Sequence, residues 1–294
     1  MLSINKSVEM TTIIPIHNME GKLDNLKRTL NHTCYLNIEV ILVEDGCSDN
    51  THEELSAIVK NLPDKSNISC YKVSFNNPGE SRNFALEKAK GEWITFWDSD
   101  DLPCPEKYLE LIDNLGGKYN VIIGQYKIYD FKKLKILYQS NEKNLLQVAI
   151  NPGLWRMIFH RNILQVVRFP ALSMAEDQNF ICKLNLQSEQ YVISEDMAYT
   201  YIINFPNQLT KNRSKLEDLL KAILNSLETL EKNQNEFNSI MLIKQLSTYL
   251  WKTRKCSLVV KIIPKILHTY KYNIFVLIRS LALYSKLEFL RLFK

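Results

Sequence analysis

The chain has no C-x-x-C pair, and its six cysteines (34, 47, 70, 104, 182, 256) follow no regular spacing. That argues against a structural zinc site and for free thiols in a reducing compartment. There is no low-complexity tract and no internal repeat. The first ten residues, Met-Leu-Ser-Ile-Asn-Lys-Ser-Val-Glu-Met, hold no apolar core of a secretory signal, so none is expected. Nor is there a run of about 20 uncharged apolar residues. Ile274 to Phe293 is rich in Ile, Leu, Phe and Tyr but is interrupted by Arg279, Lys286, Glu288 and Arg291, which excludes a spanning helix. No recognised nucleic-acid-binding module is present, so nucleic acid is not an expected partner.

What remains is the composition of a globular chain, 46% apolar and 23% charged over 294 residues. That length holds one large domain, or a domain with an appendage. The net charge of +5 is unevenly placed. Residues 252–294 carry ten Lys and Arg against one acid, Glu288, a net +9, so the preceding residues carry −4. An acidic body with a basic tail follows.

The first hundred residues alternate between two periods. Thr11 to Ile16, Ile38 to Val43 and Ile68 to Phe75 read as strands. Between them, Leu23, Leu26 and Leu30, and then Leu55, Ile58, Val59 and Leu62, fall at helical spacing. After Asn76-Asn-Pro-Gly79 comes a helix with Phe84, Ala85, Leu86 and Ala89, then the apolar run Trp93 to Trp97. This β-α repetition predicts a mostly parallel sheet with right-handed crossovers. Ligands of such sheets bind outside the carboxyl ends of the strands. That rule puts His17-Asn18, Asp45-Gly46, residues 77–82 and Asp98–Asp101 along one edge. Asp98, Asp100 and Asp101 repel one another unless a cation sits among them. Taken alone, they read more readily as a solvated acidic turn capping the next helix.

Beyond Asp101 the alternation fades. Tyr108 to Leu115 reads as a helix and Val121 to Tyr129 as a strand, while Trp155 to Val167 stays unassigned. Ala175 to Leu184 looks like a short helix with acids in its first turn, which the helix dipole alone also favours. Tyr191 to Phe205 is β-like. From Ser214 the pattern is helical, with a break at Asn233-Gln-Asn235.

Four segments in order now carry a resemblance: Thr-Thr-Ile-Ile-Pro-Ile-His-Asn, Val-Ile-Leu-Val-Glu-Asp-Gly-Cys-Ser-Asp-Asn-Thr, Asn-Pro-Gly-Glu-Ser-Arg-Asn and Gly-Glu-Trp-Ile-Thr-Phe-Trp-Asp-Ser-Asp-Asp. The chain resembles the family 2 glycosyltransferases of the GT-A fold, densely over residues 10–105 and more thinly to residue 213. The resemblance implies an α/β fold: a Rossmann-like, mostly parallel central sheet with flanking helices, followed by a C-terminal helical extension. Residues 1–212 would be the catalytic domain, with nucleotide-sugar binding in 10–105 and the acceptor side in 106–212. Residues 213–294 would be a helical, basic region.

The resemblance also assigns roles. Pro15, His17, Asn18 and Asp45 would hold the donor's base, with Asp45 accepting from uracil. Glu44 stands where the family usually has Asp. Arg82 would contact the nucleotide, with the surface ion pair to Glu80 or Glu87 as the alternative. Asp98 and Asp100 match a D-x-D pair around Mn²⁺ or Mg²⁺, with Ser99 beside the donor. Asp101 is as readily a helix cap. Glu176-Asp177 matches the family's Glu-Asp pair, with Asp177 as general base. Thr210 and Arg213 resemble a loop closing over the phosphates. Trp155 and Arg156 are placed on the acceptor side, with core packing an equal reading for Trp155.

The expected activity is an inverting transfer from a nucleotide diphosphate sugar, a UDP-sugar, to a hydroxyl of a surface glycan such as lipooligosaccharide or capsule. The acceptor would be lipid-linked and the enzyme cytoplasmic, peripheral on the inner membrane. Two alternatives stand beside it. One is a non-catalytic, membrane-associated assembly partner. The other is a sugar-phosphate nucleotidyltransferase, whose Gly-rich, Arg- and Lys-containing segment after the first strand is missing here. For the basic tail, two readings are equal: a helix on an anionic membrane surface, or a bundle folding back with a solvated basic face.

Overall fold

A computed structural model describes residues 8–63, 67–204, 216–253 and 256–292. Thr210 and Arg213 lie outside the described residues. The chain divides into two compact units.

The first unit comprises Met1–Asn141, Leu154–Arg168 and Gln190–Phe205. Its strands are β1 (Met10–Ile16), β2 (Ile38–Asp45), β3 (Ile68–Val73), β4 (Trp93–Phe96), β5 (Leu102–Pro103), β6 (Val121–Asp130), β7 (Lys135–Gln139), β8 (Met157–His160) and β9 (Tyr191–Ile203). Among the described residues they form one sheet in the order β3-β2-β1-β4-β8-β6-β9-β5, with β7 on β6. The long registers, β1 with β2, β2 with β3 and β6 with β9, are parallel. Shorter antiparallel pairings attach β8 to β4 and β6, and β5 to β9. Helices α1 (Asp24–Thr33), α2 (Thr51–Lys60), α3 (Pro78–Leu86) and α4 (Pro105–Leu115) fill the connections.

The apolar runs explain the centre of this sheet. Every residue of β2 and β4 is buried, as a strand covered on both faces requires. A buried acid, Glu39, ties the three central strands at their starts. It accepts the Thr11 hydroxyl (2.7 Å) and the Lys90 N–H (2.7 Å), and Thr11 Oγ1 in turn accepts the Gly91 N–H (2.8 Å). At Gly91 a Cβ would stand 2.4 Å from the Thr11 nitrogen, so only glycine lets the chain enter β4 this close to β1. The unassigned Trp155–Val167 stretch resolves into short 3₁₀ turns around β8. Four residues of strand are too few for a period to show.

The second unit comprises Glu142–Gly153, Phe169–Glu189 and Pro206–Lys294. Its helices are α5 (Leu145–Val148), α6 (Glu176–Leu184), α7 (Leu216–Lys232), α8 (Glu236–Thr253), α9 (Cys256–Thr269) and α10 (Ile274–Leu292). Leu219, Ala222, Ile223, Leu227 and Leu230 of α7 pack with Leu242 and Tyr249 of α8 and Ile262 of α9. The break between α7 and α8 falls at residues 233–235, as the sequence predicts. There Asn235 Oδ1 accepts the Asn238 N–H (2.8 Å) and caps α8.

The second unit takes in α6 together with the C-terminal helices. Asn179 on α6 is buried and donates to the Ala222 carbonyl and the Ser226 hydroxyl of α7, both at 2.9 Å. Asn238 of α8 donates to the Cys182 carbonyl (3.2 Å). Such long-range polar contacts leave no trace in hydrophobic periodicity.

Candidate active site

The ends of β1 and β2 are stitched together by side chains. His17 Nδ1–H donates to the Asp45 carbonyl (2.6 Å), and Asn18 Nδ2 donates to His17 Nε2 (3.2 Å). A carbonyl can only accept, which sets the imidazole tautomer. Asn18, in the left-handed region at φ 50°, accepts the Ser48 N–H (2.8 Å). Pro15 pairs with Val43 one step back in the same register. Glu44 is buried and bonds His52 Nδ1 at 2.6 Å.

Asp45 organises the next loop. Its carboxylate, 3% exposed, accepts the N–H groups of Asn76 and Asn77 (2.7 Å each) and the Ser81 hydroxyl (2.9 Å). Gly46 turns the chain at φ +61°, where a Cβ would meet the Asn76 side chain at 2.2 Å. Asn77 caps α3 by accepting from Gly79 and Glu80. Four residues after Pro78 in that helix, the buried Arg82 donates from Nη2 to Asp98 Oδ1 at 3.2 Å. The expected alternative partners, Glu80 and Glu87, are replaced by a carboxylate at the end of β4.

Asp98, Asp100 and Asp101 part company here. Asp98 and Asp100 are half-buried, and the Asp100 carbonyl accepts from Asn25 Nδ2 (2.9 Å). Ser99 between them is buried. Asp101 is fully buried and clamps β9: it accepts the Tyr199 hydroxyl (2.9 Å) and the Ile202 N–H (2.7 Å). Tyr199 also accepts the Asp98 N–H (3.2 Å), so one phenol spans both aspartates. The helix-cap reading of Asp101 is corrected, since Cys104 is the N-cap of α4. Burial, then the charges of Asp100 and Asp98, push the Asp101 carboxyl well above the usual carboxylate range, against the bonds from Ile202 and Tyr199. The edge is thus loaded with mutually repelling carboxylates, and Arg82 meets Asp98 there.

Trp155 and Arg156 are both buried. Trp155 stacks on Tyr199 (centroids 4.4 Å apart) and Tyr201 (5.5 Å). Arg156 is fully buried with its guanidinium 4.7 Å from the Tyr126 ring centroid. The rings of β9 hold Trp155 in the core, and the Tyr126 ring of β6 packs on Arg156. Tyr199 itself carries no motif; alternation within Tyr191–Ile203 was the one signal that could place it.

In the second unit, Glu176 and Asp177 open α6 after Ala175, which is left-handed at φ 62°. Glu176 is buried, and Asp177 Oδ1 accepts the Gln178 N–H at 2.8 Å. The strand of chain leading to them is anchored by Asp218 of α7, which accepts the Ser173 N–H (2.9 Å) and hydroxyl (2.6 Å) and pairs with Lys221 (3.0 Å). Burial opposes ionisation there, yet the Ser173 bonds and Lys221 hold the Asp218 carboxyl below its usual range. A depressed folded value means stability that is complete above 3.8, the ordinary pKa, and lost as pH falls through the folded value. Asp218→Asn should therefore cost about 1–2 kcal/mol at pH 7. Urea unfolding as a function of pH checks this: the two proteins should converge in acid, and a pH-independent gap would refute the charge-based account.

The model of the family described as glycosyl transferase family 2 matches residues 11–182, more than half of the chain. The chain belongs to that family. It is 26% identical over 254 residues to the poly(ribitol-phosphate) β-N-acetylglucosaminyltransferase TarP of Staphylococcus aureus, covering 78% of this chain and 75% of that protein. It is 26% identical over 200 residues to an uncharacterised glycosyltransferase of Haemophilus influenzae, covering 66% and 78% respectively. The fold of this family 2 glycosyltransferase matches residues 1–349 of S. aureus TarS in complex with UDP-GlcNAc, with a TM-score of 0.66 and 20% identity over 94% of this chain and 83% of that one. The likeness establishes the GT-A architecture, and the chain is an enzyme of the glycosyltransferase class.

Proposed function

We propose that this glycosyltransferase transfers a sugar of the hexose or N-acetylhexosamine type from a UDP-sugar, with UDP-GlcNAc the first candidate, to a hydroxyl of a surface glycan, with inversion. The acceptor class is a lipid-linked lipooligosaccharide or capsule chain. The observation that carries the reading is the cluster of Arg82, Asp98, Asp100 and Asp101 at the strand ends, beside a loop held by Asp45. Support for the donor comes from TarP, named for N-acetylglucosamine transfer, and from the UDP-GlcNAc in the TarS complex.

In this reading Pro15, His17 and Asn18 flank the base. A carboxylate has about four acceptor positions. Asp45 spends three on the loop, which leaves one for the imide N–H of uracil. Arg82 at the start of α3 faces the diphosphate charge, where a guanidinium and a helix N-terminus act together.

A divalent cation fits the donor set. Asp98 and Asp100 offer hard carboxylate oxygens at a place where like charges already oppose one another. Among the described residues no three acidic, His or Cys side chains converge on one point. Two protein ligands with phosphate oxygens completing the shell is how Mg²⁺ and Mn²⁺ are commonly held. Bound there, the cation would stabilise the departing diphosphate. Two structures that share the fold contain Mn²⁺, a Pyrobaculum calidifontis mannosyltransferase with GDP-mannose and a Mycobacterium tuberculosis glucosyl-3-phosphoglycerate synthase with UDP. Asp177 takes the acceptor hydroxyl's proton as that oxygen attacks the anomeric carbon, and Glu176 orients the substrate.

The test is nucleoside diphosphate release from a panel of UDP-, GDP- and dTDP-sugars with Mn²⁺. UDP-sugars should turn over fastest, and EDTA should stop the reaction. Preferred turnover of a GDP-sugar would overturn the uracil assignment, and full activity in EDTA would overturn the metal role.

A further inference from the structure

Helices α9 and α10 each bury one face in the second unit and leave apolar side chains exposed on another. In α9 and the turn after it, Ile262, Thr269 and Tyr270 are buried in the second unit, while Val260 (61% exposed), Ile263 (43%) and Leu267 (54%) lie outward at i, i+3 and i+7. In α10, Ser280 is buried and Val276 and Leu277 pack on the core, while Ile274, Phe275 (78%), Ile278 (55%) and Leu281 (46%) are exposed. Trp251 and Tyr272 add two rings that are 80% and 88% exposed. A helix that is apolar on its outer face as well as its inner one has something to bury on both sides.

The charge around this face selects its occupant. Lys261, Lys271, Arg279 and Lys286 are exposed on the same two helices and the turn joining them. Of these, Arg279 pairs with Glu236 at 2.8 Å, and Lys271 sits 4.6 Å from the Tyr272 ring centroid. Residues 252–294 carry +9 with one acid, so a second copy of this chain would set two strongly basic faces against each other. No described helix is long and apolar enough to cross a membrane. Outward apolar stripes, exposed aromatic rings and a basic surround fit a helix pair lying in the headgroup region of an anionic bilayer.

We infer that the outer face of α9 and α10 docks on an anionic lipid surface, with Phe275, Ile278 and Leu281 entering the acyl boundary and the lysines meeting the lipid phosphates. This surface stands independently of which sugar the enzyme transfers.

Flotation of the full chain with vesicles tests it. Partitioning should be at least about tenfold stronger to phosphatidylcholine containing about one-third phosphatidylglycerol than to phosphatidylcholine alone, and should weaken with added salt. The double substitution Phe275→Ser with Ile278→Ser should lower it by about tenfold or more. Both side chains are exposed, so thermal unfolding and UDP-sugar turnover should stay unchanged. Equal binding to both vesicles, undiminished binding of the double variant, or equally tight binding to soluble heparin would overturn the proposal. So would an oligomer in analytical ultracentrifugation that the double variant dissociates, since the face would then be a protein interface. Asp100→Asn should float like the parent, so failure of the catalytic reading and failure of the docking surface show up in different assays.

Discussion

Asp100→Asn should lower kcat by about 10²–10³ at saturating donor and raise the Mn²⁺ concentration needed for half-maximal turnover. The substitution keeps size and one acceptor oxygen but removes the charge that a hard cation prefers. The backbone contact at this position should survive the substitution. The bond from Asn25 goes to the Asp100 carbonyl, which the variant retains, and the side chain is only half-buried. Losing this charge also relieves part of the repulsion on the buried Asp101 carboxyl, so urea stability without metal should hold or rise. Steady-state UDP release over a Mn²⁺ titration, beside an unfolding curve, reads both effects. Turnover near that of the parent with an unchanged Mn²⁺ dependence would remove Asp100 from the metal site.

Asp101 shows why neighbouring acids need not share a role. In the sequence the three carboxylates are distinguished only by spacing. In the fold, Asp101 turns inward to Tyr199 and Ile202, about a hundred residues away along the chain. Nothing local encodes that partner. Legibility followed the range of the interaction throughout. The strands β1, β2 and β4 were readable because burial on both faces writes a continuous apolar run, and α7 because one packed face writes a 3.6-residue period. The rule that ligands gather at strand ends then predicted the edge holding Asn18, Asp45, Arg82 and Asp98.

Side-chain roles that depend on distant partners were not readable. Asp45 spends most of its acceptors on Asn76, Asn77 and Ser81, and Arg82 chooses Asp98 over the nearer Glu80 and Glu87. Trp155 and Arg156 look like surface candidates in a Pro-Gly-rich stretch, yet aromatic rings of β6 and β9 enclose them. The tail was the opposite case. Its apolar residues were too many for one face, and sequence periodicity cannot report that a helix is using two.

Asp177→Asn should lower kcat by about 10²–10⁴ with little change in the donor's KM. The bond that Asp177 Oδ1 accepts from the Gln178 N–H is one an asparagine oxygen can also accept, so α6 keeps its first turn. What the variant loses is the ability to take a proton. The competing account is that Glu176 and Asp177 stand at a helix N-terminus for the dipole alone. A dipole role predicts a stability loss of about 0.3–1 kcal/mol and normal turnover. A base role predicts the reverse weighting, near-normal stability with turnover collapsed, and it adds a signature in pH. The acid limb of the kcat profile, where the base becomes protonated, should disappear from the residual activity of the variant. Measuring unfolding and the pH–rate profile on one preparation separates the two accounts, because the dipole account leaves turnover and its acid limb intact while the base account removes both.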